Sequence, residues 1–277
     1  MSTAEQEPTA ERAVEPTSES QTDRDPAPAV TRSIRILGIL ADAQGRPMPL
    51  SDIARAIGAA KSSTSNLCAV LEESGLIQRV DSGFTLGHRT VELGGAYLRS
   101  FDQVREFYRF IASSEFLSHE VVQIAMLDGT DVLYLARHEG RAPLRLSAGI
   151  GDRFPAAPTA VGNALLAHLA PEEVDRRFAD GDHFPVRTER STTSLEHLQE
   201  KLALVRERGY AIDDGEVHPG VFGIARWIPP RASGAQPLAI GASLMEAALT
   251  PAVRAGIIAE LAEAVSLLSN PMVLSGR

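Results

Sequence analysis

The sequence predicts a mixed α+β fold with two domains, and three observations carry this prediction. Its 277 residues exceed the usual length of one domain. Residues 30–89 contain three short segments in which apolar residues recur at helical spacing. Two strand-like runs around an Asp81-Ser82-Gly83 turn follow them. From residue 102 onward, strand-like runs are interspersed with amphipathic helices. The first pattern is typical of a winged helix-turn-helix, and the second of an antiparallel sheet with helices packed on it.

The first 29 residues differ in composition from the rest of the chain. They are rich in Glu, Pro, Ser, Thr and Ala, lack aromatic residues, and contain seven acidic and two basic side chains. Such a segment cannot bury enough apolar surface to offset the entropy lost on ordering. Residues 1–29 are therefore predicted to form a disordered acidic tail.

Residues 30–89 have the sequence signals of three helices and a hairpin. "AQGRPMP" interrupts the first helix, and Ser51 is a good N-cap for the second, which Gly58 can end. The third helix begins at Lys61 and is expected to place Leu67, Val70 and Leu71 inward. The single cysteine, Cys68, is expected to be a small buried side chain.

The start of the third helix carries an unusual density of hydroxyls, in "KSSTSN". In a helix-turn-helix, the N-terminal residues of the second helix enter the major groove, where hydroxyls can contact phosphates and base edges. The alternative is that one serine caps the helix and the others face solvent. The candidate DNA contacts are Arg32, Lys61, Ser62, Ser63, Thr64, Ser65, Asn66, Arg79, His88 and Arg89.

The net charge of -9 is unevenly distributed, which bears on nucleic-acid binding. The tail carries -5, residues 30–89 carry +2, and the remainder carries -6. Only residues 30–89 favour a phosphate backbone, and only mildly. No apolar run has the roughly 20 residues that span a bilayer, and the N-terminus has no secretory signal pattern. These features predict a cytoplasmic protein with no membrane partner.

The rest of the chain is expected to form a linker helix and a larger domain. Residues 90–101 are assigned to the linker helix, weakened at Gly94-Gly95, and residues 102–277 to the second domain. "EVVQIAML", "DVLYLARHE", "LRLSAGI" and "LAIGASLM" are predicted strands, and "GDRFPAAPTA" is predicted to be a loop before a helix. Thr193 and Glu196 have the spacing of a capping box.

Four segments in order resemble the IclR-type transcriptional regulators. They are "LSDIARAIGAAKSSTSNLCAVLEESGLI", "GFTLGHRTVELG", "GDRFPAAPTAVGNALLAHL" and "VRERGYAIDDGEVHPGVFGIA". The resemblance covers about residues 30 to 270. It implies a winged helix-turn-helix that binds a double-stranded DNA operator, joined to a GAF-like domain that binds a small effector. It further implies a homodimer or homotetramer, and an effector that is a small organic or aromatic acid.

The residues around 159–164 are the candidate effector site. Thr159 precedes a helix whose first N–H groups lack helical partners, and small residues there permit close approach of a ligand. Alternatively, Gly162 and Ala164 serve helix packing, and Asp213 and Asp214 form a turn. The resemblance implies effector contacts at Ala160, Val161, Gly162, Asp213, Gly223 and Ser243, with Leu144 and Leu146 as an apolar wall.

The sequence departs from the family pattern at several of these positions. Asn66 stands where the family usually has Arg, and Asn163 where it has Lys. Gly223 and Gly241 replace a common Cys and a Ser, which suggests an enlarged pocket. These departures leave the identity of the effector open.

The function predicted from these features is a ligand-responsive DNA-binding transcriptional regulator, with repression favoured over activation. Two alternatives remain: a ligand-binding dimer without DNA recognition, and a small-molecule hydrolase. Catalysis is not expected, because "GASLM" lacks the spacing of a nucleophile elbow and no zinc motif is present. No cofactor or metal site is predicted, although "DDGEVH" has some metal-binding groups.

Overall fold

The protein is described by a computed structural model that covers residues 25–140, 148–181 and 183–270. The chain divides into two compact units, residues 1–94 and 95–277. Within the described residues, no helix is both long enough and apolar enough to span a bilayer. The predicted tail lies mostly outside the described residues, as do Leu144, Leu146 and most of "LRLSAGI".

The first unit contains the predicted helices and hairpin, followed by the start of a fourth helix. The elements are α1 (Pro28–Asp42), α2 (Leu50–Ile57), α3 (Lys61–Glu73), β1 (Ile77–Val80), β2 (Gly83–Leu86) and α4 (Arg89–Leu98). β1 and β2 pair antiparallel, and Met48 forms an additional antiparallel bridge to Phe84. Gly58 ends α2 at φ 66°, a left-handed conformation that glycine adopts without steric cost.

One apolar cluster holds this unit together. α1 contributes Ile36 and Leu40, both buried, because they lie one helical turn apart on the same face. The cluster is completed by Ile53, Ile57, Cys68, Leu71, Ile77 and Phe84. Cys68 is fully buried, as expected, and burial raises the pKa of its thiol.

Three local predictions in this unit were wrong. α1 begins at Pro28, so Pro28 and Ala29 belong to the helix and not to the tail; proline suits the first helical position because its missing N–H has no helical partner there. α2 begins one residue before Ser51, with Pro49 as its N-cap. Val70 is 64% exposed, because the inward stripe of α3 is Thr64, Cys68 and Leu71.

In its described residues, the second unit contains a six-stranded antiparallel sheet with helices on both faces, which confirms the predicted α+β fold class. The strand order is β5-β4-β3-β8-β7-β6. The strands are β3 (Val121–Asp128), β4 (Asp131–His138), β5 (Arg153–Pro155), β6 (Ala211–Asp214), β7 (Val221–Ile228) and β8 (Leu238–Met245). The helices are α5 (Asp102–Ser113), α6 (Ala160–Leu166), α7 (Pro171–Arg177), α8 (Leu195–Arg208) and α9 (Pro251–Ser269).

Alternation along the strands divides the second unit into two apolar cores. Ile124 faces the core that includes α5 and α9, whereas Ala125 faces the core that includes α6, α7 and α8. Neighbouring strand residues point to opposite faces, so one strand supplies both cores. The side facing α6 is rich in alanine and glycine, which leaves room for that helix to approach the sheet closely.

Further differences from the sequence prediction concern element ends. β5 lies within the predicted loop, where Arg153–Pro155 pair with Asp131–Leu133. Ser194 caps α8 by accepting from the N–H of His197, so the capping residue is not Thr193. α4 continues through Gly94-Gly95, and the helical region breaks before α5, whose N-cap is Phe101.

Candidate DNA interface and effector cavity

The first turn of α3 presents its polar side chains to solvent. Ala60 is the N-cap and makes no side-chain capping bond, so no serine caps this helix. Lys61, Ser62, Ser65 and Asn66 are exposed and Ser63 is half-buried. The exposed side chains are therefore available for a partner, as a recognition helix requires.

Thr64 is an exception among the candidate DNA contacts, and its assignment is corrected. Its side chain is fully buried, and its hydroxyl donates to the carbonyl oxygen of Ala60 at 3.0 Å. The buried stripe of α3 passes through position 64, so the side chain points into the core. Thr64 therefore cannot contact DNA in this conformation.

The candidate basic side chains are exposed, but two of them are already paired. Arg79 lies 3.4 Å from a carboxylate oxygen of Glu72 and stacks over the Phe84 ring at 4.4 Å. Arg89 forms an ion pair with Glu92. Arg32 and His88 are exposed. Exposed ion pairs contribute little to stability, so DNA phosphates can compete for these arginines at small cost.

The second unit contains a cavity of about 50 Å³ between α6 and the sheet. It lies at the first turn of α6 and over the middle of the antiparallel strands. The polar groups that line it come from Gln123, Tyr134, Thr159, Asp213, His218 and Ser243, and the apolar ones include Ala148, Phe154, Ala160, Val161 and Val221.

Five of the six described effector candidates line this cavity: Ala160, Val161, Asp213, Gly223 and Ser243. Gly162 does not. Its N–H donates to the Thr159 hydroxyl at 3.1 Å, and an added Cβ would lie 2.1 Å from the Ala156 carbonyl oxygen. Gly162 is thus needed for packing, which corrects its assignment as an effector contact and favours the alternative interpretation.

The two glycines expected to enlarge the pocket do not do so. An added Cβ at Gly241 would lie 2.6 Å from a methyl group of Val161. At Gly223, it would lie 3.2 Å from the Asp213 Cβ and 3.3 Å from the Ala160 Cβ. The space left by the missing side chains is therefore occupied by α6 and Asp213, so the prediction of an enlarged pocket was wrong at these positions.

Asp213 is the main titratable group of the cavity. It lies on β6 opposite Gly223, is 7% exposed, and its Oδ1 accepts from the N–H of Glu216 at 2.7 Å. Burial raises the pKa of Asp213 to about 7, although the hydrogen bond from Glu216 opposes the shift. The carboxyl group is therefore divided between its neutral and charged forms at neutral pH.

Sequence reasoning missed Tyr134 and Gln123, both buried at the cavity. Tyr134 lies on β4, and burial together with the nearby Asp213 raises the pKa of its phenol. Gln123 lies on β3 and its side-chain N–H donates to the Ala148 carbonyl at 3.5 Å. A polar residue within an otherwise apolar buried strand was the available signal, since buried polar groups need a partner.

These two sites together define a class of protein. A helix-turn-helix whose third helix exposes polar side chains on its first turn occurs in one chain with a domain that contains a small cavity lined by apolar and polar side chains. The combination is that of a ligand-responsive, DNA-binding regulator.

Comparison with known proteins identifies the family. Residues 95–270 match the model of the C-terminal domain of bacterial IclR transcriptional regulators, and residues 29–81 match the IclR helix-turn-helix domain. The chain therefore belongs to the IclR family of bacterial transcriptional regulators, as the resemblance predicted.

Relatives of known function or structure agree with this assignment. The transcriptional repressor IclR of Escherichia coli is 28% identical over 193 residues, which cover 68% of this chain and 69% of the repressor. A crystal structure of a transcriptional regulator from Rhodococcus sp. RHA1 has a TM-score of 0.76 at 26% identity, covering 90% of this chain and 99% of that one. An IclR homolog from Microbacterium hydrocarbonoxydans, solved in complex with 4-hydroxybenzoate, has a TM-score of 0.74 at 22% identity, covering 87% and 98%.

Replacing Asp213 with asparagine tests its buried ionisation. Because the folded pKa of about 7 lies above the ordinary value of 3.8, native stability falls as pH rises from about 4 to about 7, and then stays level. The Asp213→Asn variant does not lose this stability, because its side-chain amide does not ionise. We expect its stability relative to wild type to increase by about 1 kcal/mol between pH 6 and pH 8, measured by urea unfolding.

The matched control is Asp214→Asn, which changes the adjacent, exposed carboxylate. Asp214→Asn should change the free energy of unfolding by nearly the same amount at pH 6 and pH 8 if only ionisation of the buried Asp213 destabilises the native state. An equal pH dependence in the two variants would contradict the assignment of the penalty to Asp213.

Proposed function

We propose that this protein is a repressor that binds its operator as a homodimer and responds to a short-chain carboxylic acid. The observation that carries the effector assignment is the small cavity with the buried carboxyl group of Asp213 in its lining. The site of action is the bacterial cytoplasm, where the chromosome lies. Repression is favoured because the related E. coli protein is a transcriptional repressor.

The DNA contacts proposed are the exposed polar groups on α3 with the basic groups near it. Asn66 can pair with an adenine edge in the major groove, whereas Ser62 and Ser65 can donate to phosphates or bases. Lys61 adds a charge at the start of the helix. Arg32, Ser63, Arg79, His88 and Arg89 complete the proposed set, from which Thr64 is removed.

Truncating two exposed side chains of α3 tests whether this helix contacts the bases of the operator. The operator would first be selected from random duplexes, and binding then followed by fluorescence anisotropy. We expect Ser65→Ala with Asn66→Ala to weaken binding to the selected duplex by about 1–3 kcal/mol, with little change on a random duplex. Lys61→Ala should weaken both and reduce the salt slope by about 1.

Thr193→Ala serves as the control, since it removes an exposed hydroxyl in the second unit. It should bind DNA as the wild type does. Wild-type affinity of the double α3 variant for the selected duplex would show that this helix does not read the sequence, and would favour a ligand-binding dimer without DNA recognition.

The size and chemistry of the cavity support a small acid as effector. Its volume of about 50 Å³ is well below the ~150 Å³ of an engineered cavity that takes benzene. The Microbacterium homolog binds 4-hydroxybenzoate, but an aromatic ring is too large here without rearrangement. A carboxylate of two to four carbons fits the space better.

The polar groups at the cavity suit a carboxylate in a specific way. The backbone N–H groups of Ala160 and Val161 have no partner among the described residues. The Tyr134 hydroxyl also lacks a hydrogen-bond partner within the described part of the chain. These donors can stabilise an anion, and a protonated Asp213 can share its proton with it.

Removing one of these donors tests the effector assignment. Isothermal titration of the wild type with acetate, pyruvate, butyrate and benzoate should show binding of short acids and weaker binding of benzoate. We expect Tyr134→Phe to lower the affinity for the best short acid about 10- to 150-fold, because a hydrogen bond to a charged group contributes about 1.5–3 kcal/mol.

Tyr210→Phe is the control, because this tyrosine is half-buried away from the cavity lining. It should retain wild-type affinity. Absence of heat with every short acid would overturn the proposed effector class, and equal affinity of the Tyr134→Phe variant would remove its hydroxyl from the site.

Exposed apolar side chains on α1 and α4 support a homodimer. Val30 and Ile34 are 58% and 63% exposed and lie one turn apart on one face of α1. Val91 and Leu93 on α4 are 76% and 52% exposed. A second copy is the proposed occupant, because a two-fold dimer buries the same α1 face twice and presents two recognition helices to a palindromic site.

A charged residue on the exposed apolar face of α1 should disrupt the dimer. We expect Ile34→Glu to shift the protein toward monomer in sedimentation velocity at micromolar concentration, since burying an unpaired carboxylate is costly. Val186→Glu, which alters a side chain that is 71% exposed in the second unit, should keep the wild-type state. An unchanged sedimentation coefficient for Ile34→Glu would exclude α1 from the interface.

A further inference from the structure

A buried ion pair lies directly behind the effector cavity. Lys201 on α8 is 15% exposed in its side chain, and its Nζ lies 2.6 Å from Oε1 of Glu216, which is 8% exposed. The same Nζ donates to the Thr192 hydroxyl at 2.8 Å and to the Ala157 carbonyl at 3.1 Å. Three acceptors surround the three protons of the ammonium group, so its position is well defined.

Glu216 connects this ion pair to the carboxyl group at the cavity. Its second oxygen, Oε2, accepts from the N–H and the hydroxyl of Thr192, at 3.0 and 2.6 Å. Its own backbone N–H donates to Oδ1 of Asp213 at 2.7 Å. A continuous path of polar contacts therefore runs from Lys201 through Glu216 to Asp213.

Lys201 also contacts the segment that leads into α6. The Ala157 carbonyl accepts from Lys201 and from the side-chain amide of Asn163, at 3.1 and 3.0 Å. Asn163 is fully buried and its amide also donates to the Thr159 carbonyl at 2.7 Å. Thr159 is the N-cap of α6, so the ammonium group supports two walls of the cavity.

We propose that Lys201 is a positioning residue of the effector site: through Glu216 it holds the carboxyl group of Asp213 and sets the charge that an incoming acid meets. The inference rests on the proposed effector function, because it names the residue that tunes that cavity. Lys201 does not line the cavity itself and acts only through its neighbours.

The choice of lysine supports a specific role. Lys61 and Lys201 are the only lysines in the sequence, where 25 of the 27 basic residues are arginine. An ammonium group offers three donors around one point and titrates when buried, whereas the planar guanidinium favours bidentate pairing and stays charged. Burial lowers the pKa of Lys201, and the Glu216 carboxylate opposes that effect.

The charged groups facing Asp213 have opposite effects on it. Lys201 on α8 lowers its pKa, whereas the Glu216 carboxylate raises it. Among the described residues, the other titratable groups that line the cavity are Tyr134 on β4 and His218 after β6, while α6 and β7 present Ala160 and Gly223. Removing the charge of Lys201 and removing the charge of Glu216 should therefore move the titration midpoint of Asp213 in opposite directions.

The decisive measurement is an NMR titration of the ligand-free protein labelled with 13C at its aspartate carboxyl groups. Asp213→Asn identifies the Asp213 signal by its loss. In the wild type, we expect a midpoint near 7. Lys201→Met should raise the midpoint and Glu216→Gln should lower it, each by about one pH unit. The double variant, which replaces the pair by neutral groups, should return toward the wild-type midpoint.

Arg190→Met is the matched control. Arg190 pairs with the exposed Asp214 at 3.1 Å, outside the Lys201 path, so its loss should leave the Asp213 midpoint in place. General loosening of the structure would move both single variants in the same direction, toward the ordinary pKa of an aspartate. Either that outcome or two unchanged midpoints overturns the proposal, and Glu216→Gln alone decides it if Lys201→Met does not fold.

A second readout separates this inference from the effector assignment. Pyruvate affinity measured across pH 6 to 9 should fall with rising pH, and the fall should occur at higher pH in Lys201→Met. If pyruvate does not bind the wild type, the choice of this acid as effector fails. The NMR midpoints would still confirm or overturn the role of Lys201.

Discussion

The close approach of α6 to the sheet is the constraint on which the second unit depends. Gly223 and Gly241 allow it, because a Cβ at Gly223 would meet Ala160 and Asp213, and a Cβ at Gly241 would meet Val161. Since the helix lies so near the strands, its first residues form a wall of the cavity and Asp213 is kept from bulk water. This burial raises the pKa of Asp213.

The order of the helices and strands could be predicted from the sequence, because each has its own spacing of apolar residues and its own residues that mark its ends. The helices and hairpin of residues 30–89 and the strands β3, β4 and β8 follow from apolar spacing and turn residues. Element ends were less predictable, since capping at Pro49 or Ser194 depends on backbone conformations that neighbouring residues share.

The candidate site was harder to predict because function there depends on neighbours that are distant in sequence. Thr64 belongs to a run of hydroxyls, yet the helix phase set by Cys68 and Leu71 turns it inward. The sequence predicts added space at Gly223 and Gly241, but the position of α6 is not visible in the sequence, and this helix approaches both glycines closely. Lys201 has no local signal, since its partners lie on other elements.

The small positive net charge of the DNA-binding unit is consistent with regulation by a modest change in the free energy of DNA binding. Arg79 and Arg89 are held by acidic neighbours, and residues 30–89 carry only +2. A monomer with so few free cations has little nonspecific affinity, so binding would depend on two recognition helices acting together. An effector can shift that equilibrium only by its differential affinity for the two states.

Under the proposed effector function, the buried carboxyl group of Asp213 would help the protein to discriminate among small molecules. A neutral Asp213 can donate a proton to an anionic ligand, whereas an ionised Asp213 repels it. A pKa near neutrality makes the charge of Asp213 sensitive to its surroundings, and the charges of Lys201 and Glu216 shift that pKa in opposite directions. Selectivity for a carboxylate would then follow from a balance of buried charges, in a cavity whose shape is already fixed by glycine packing.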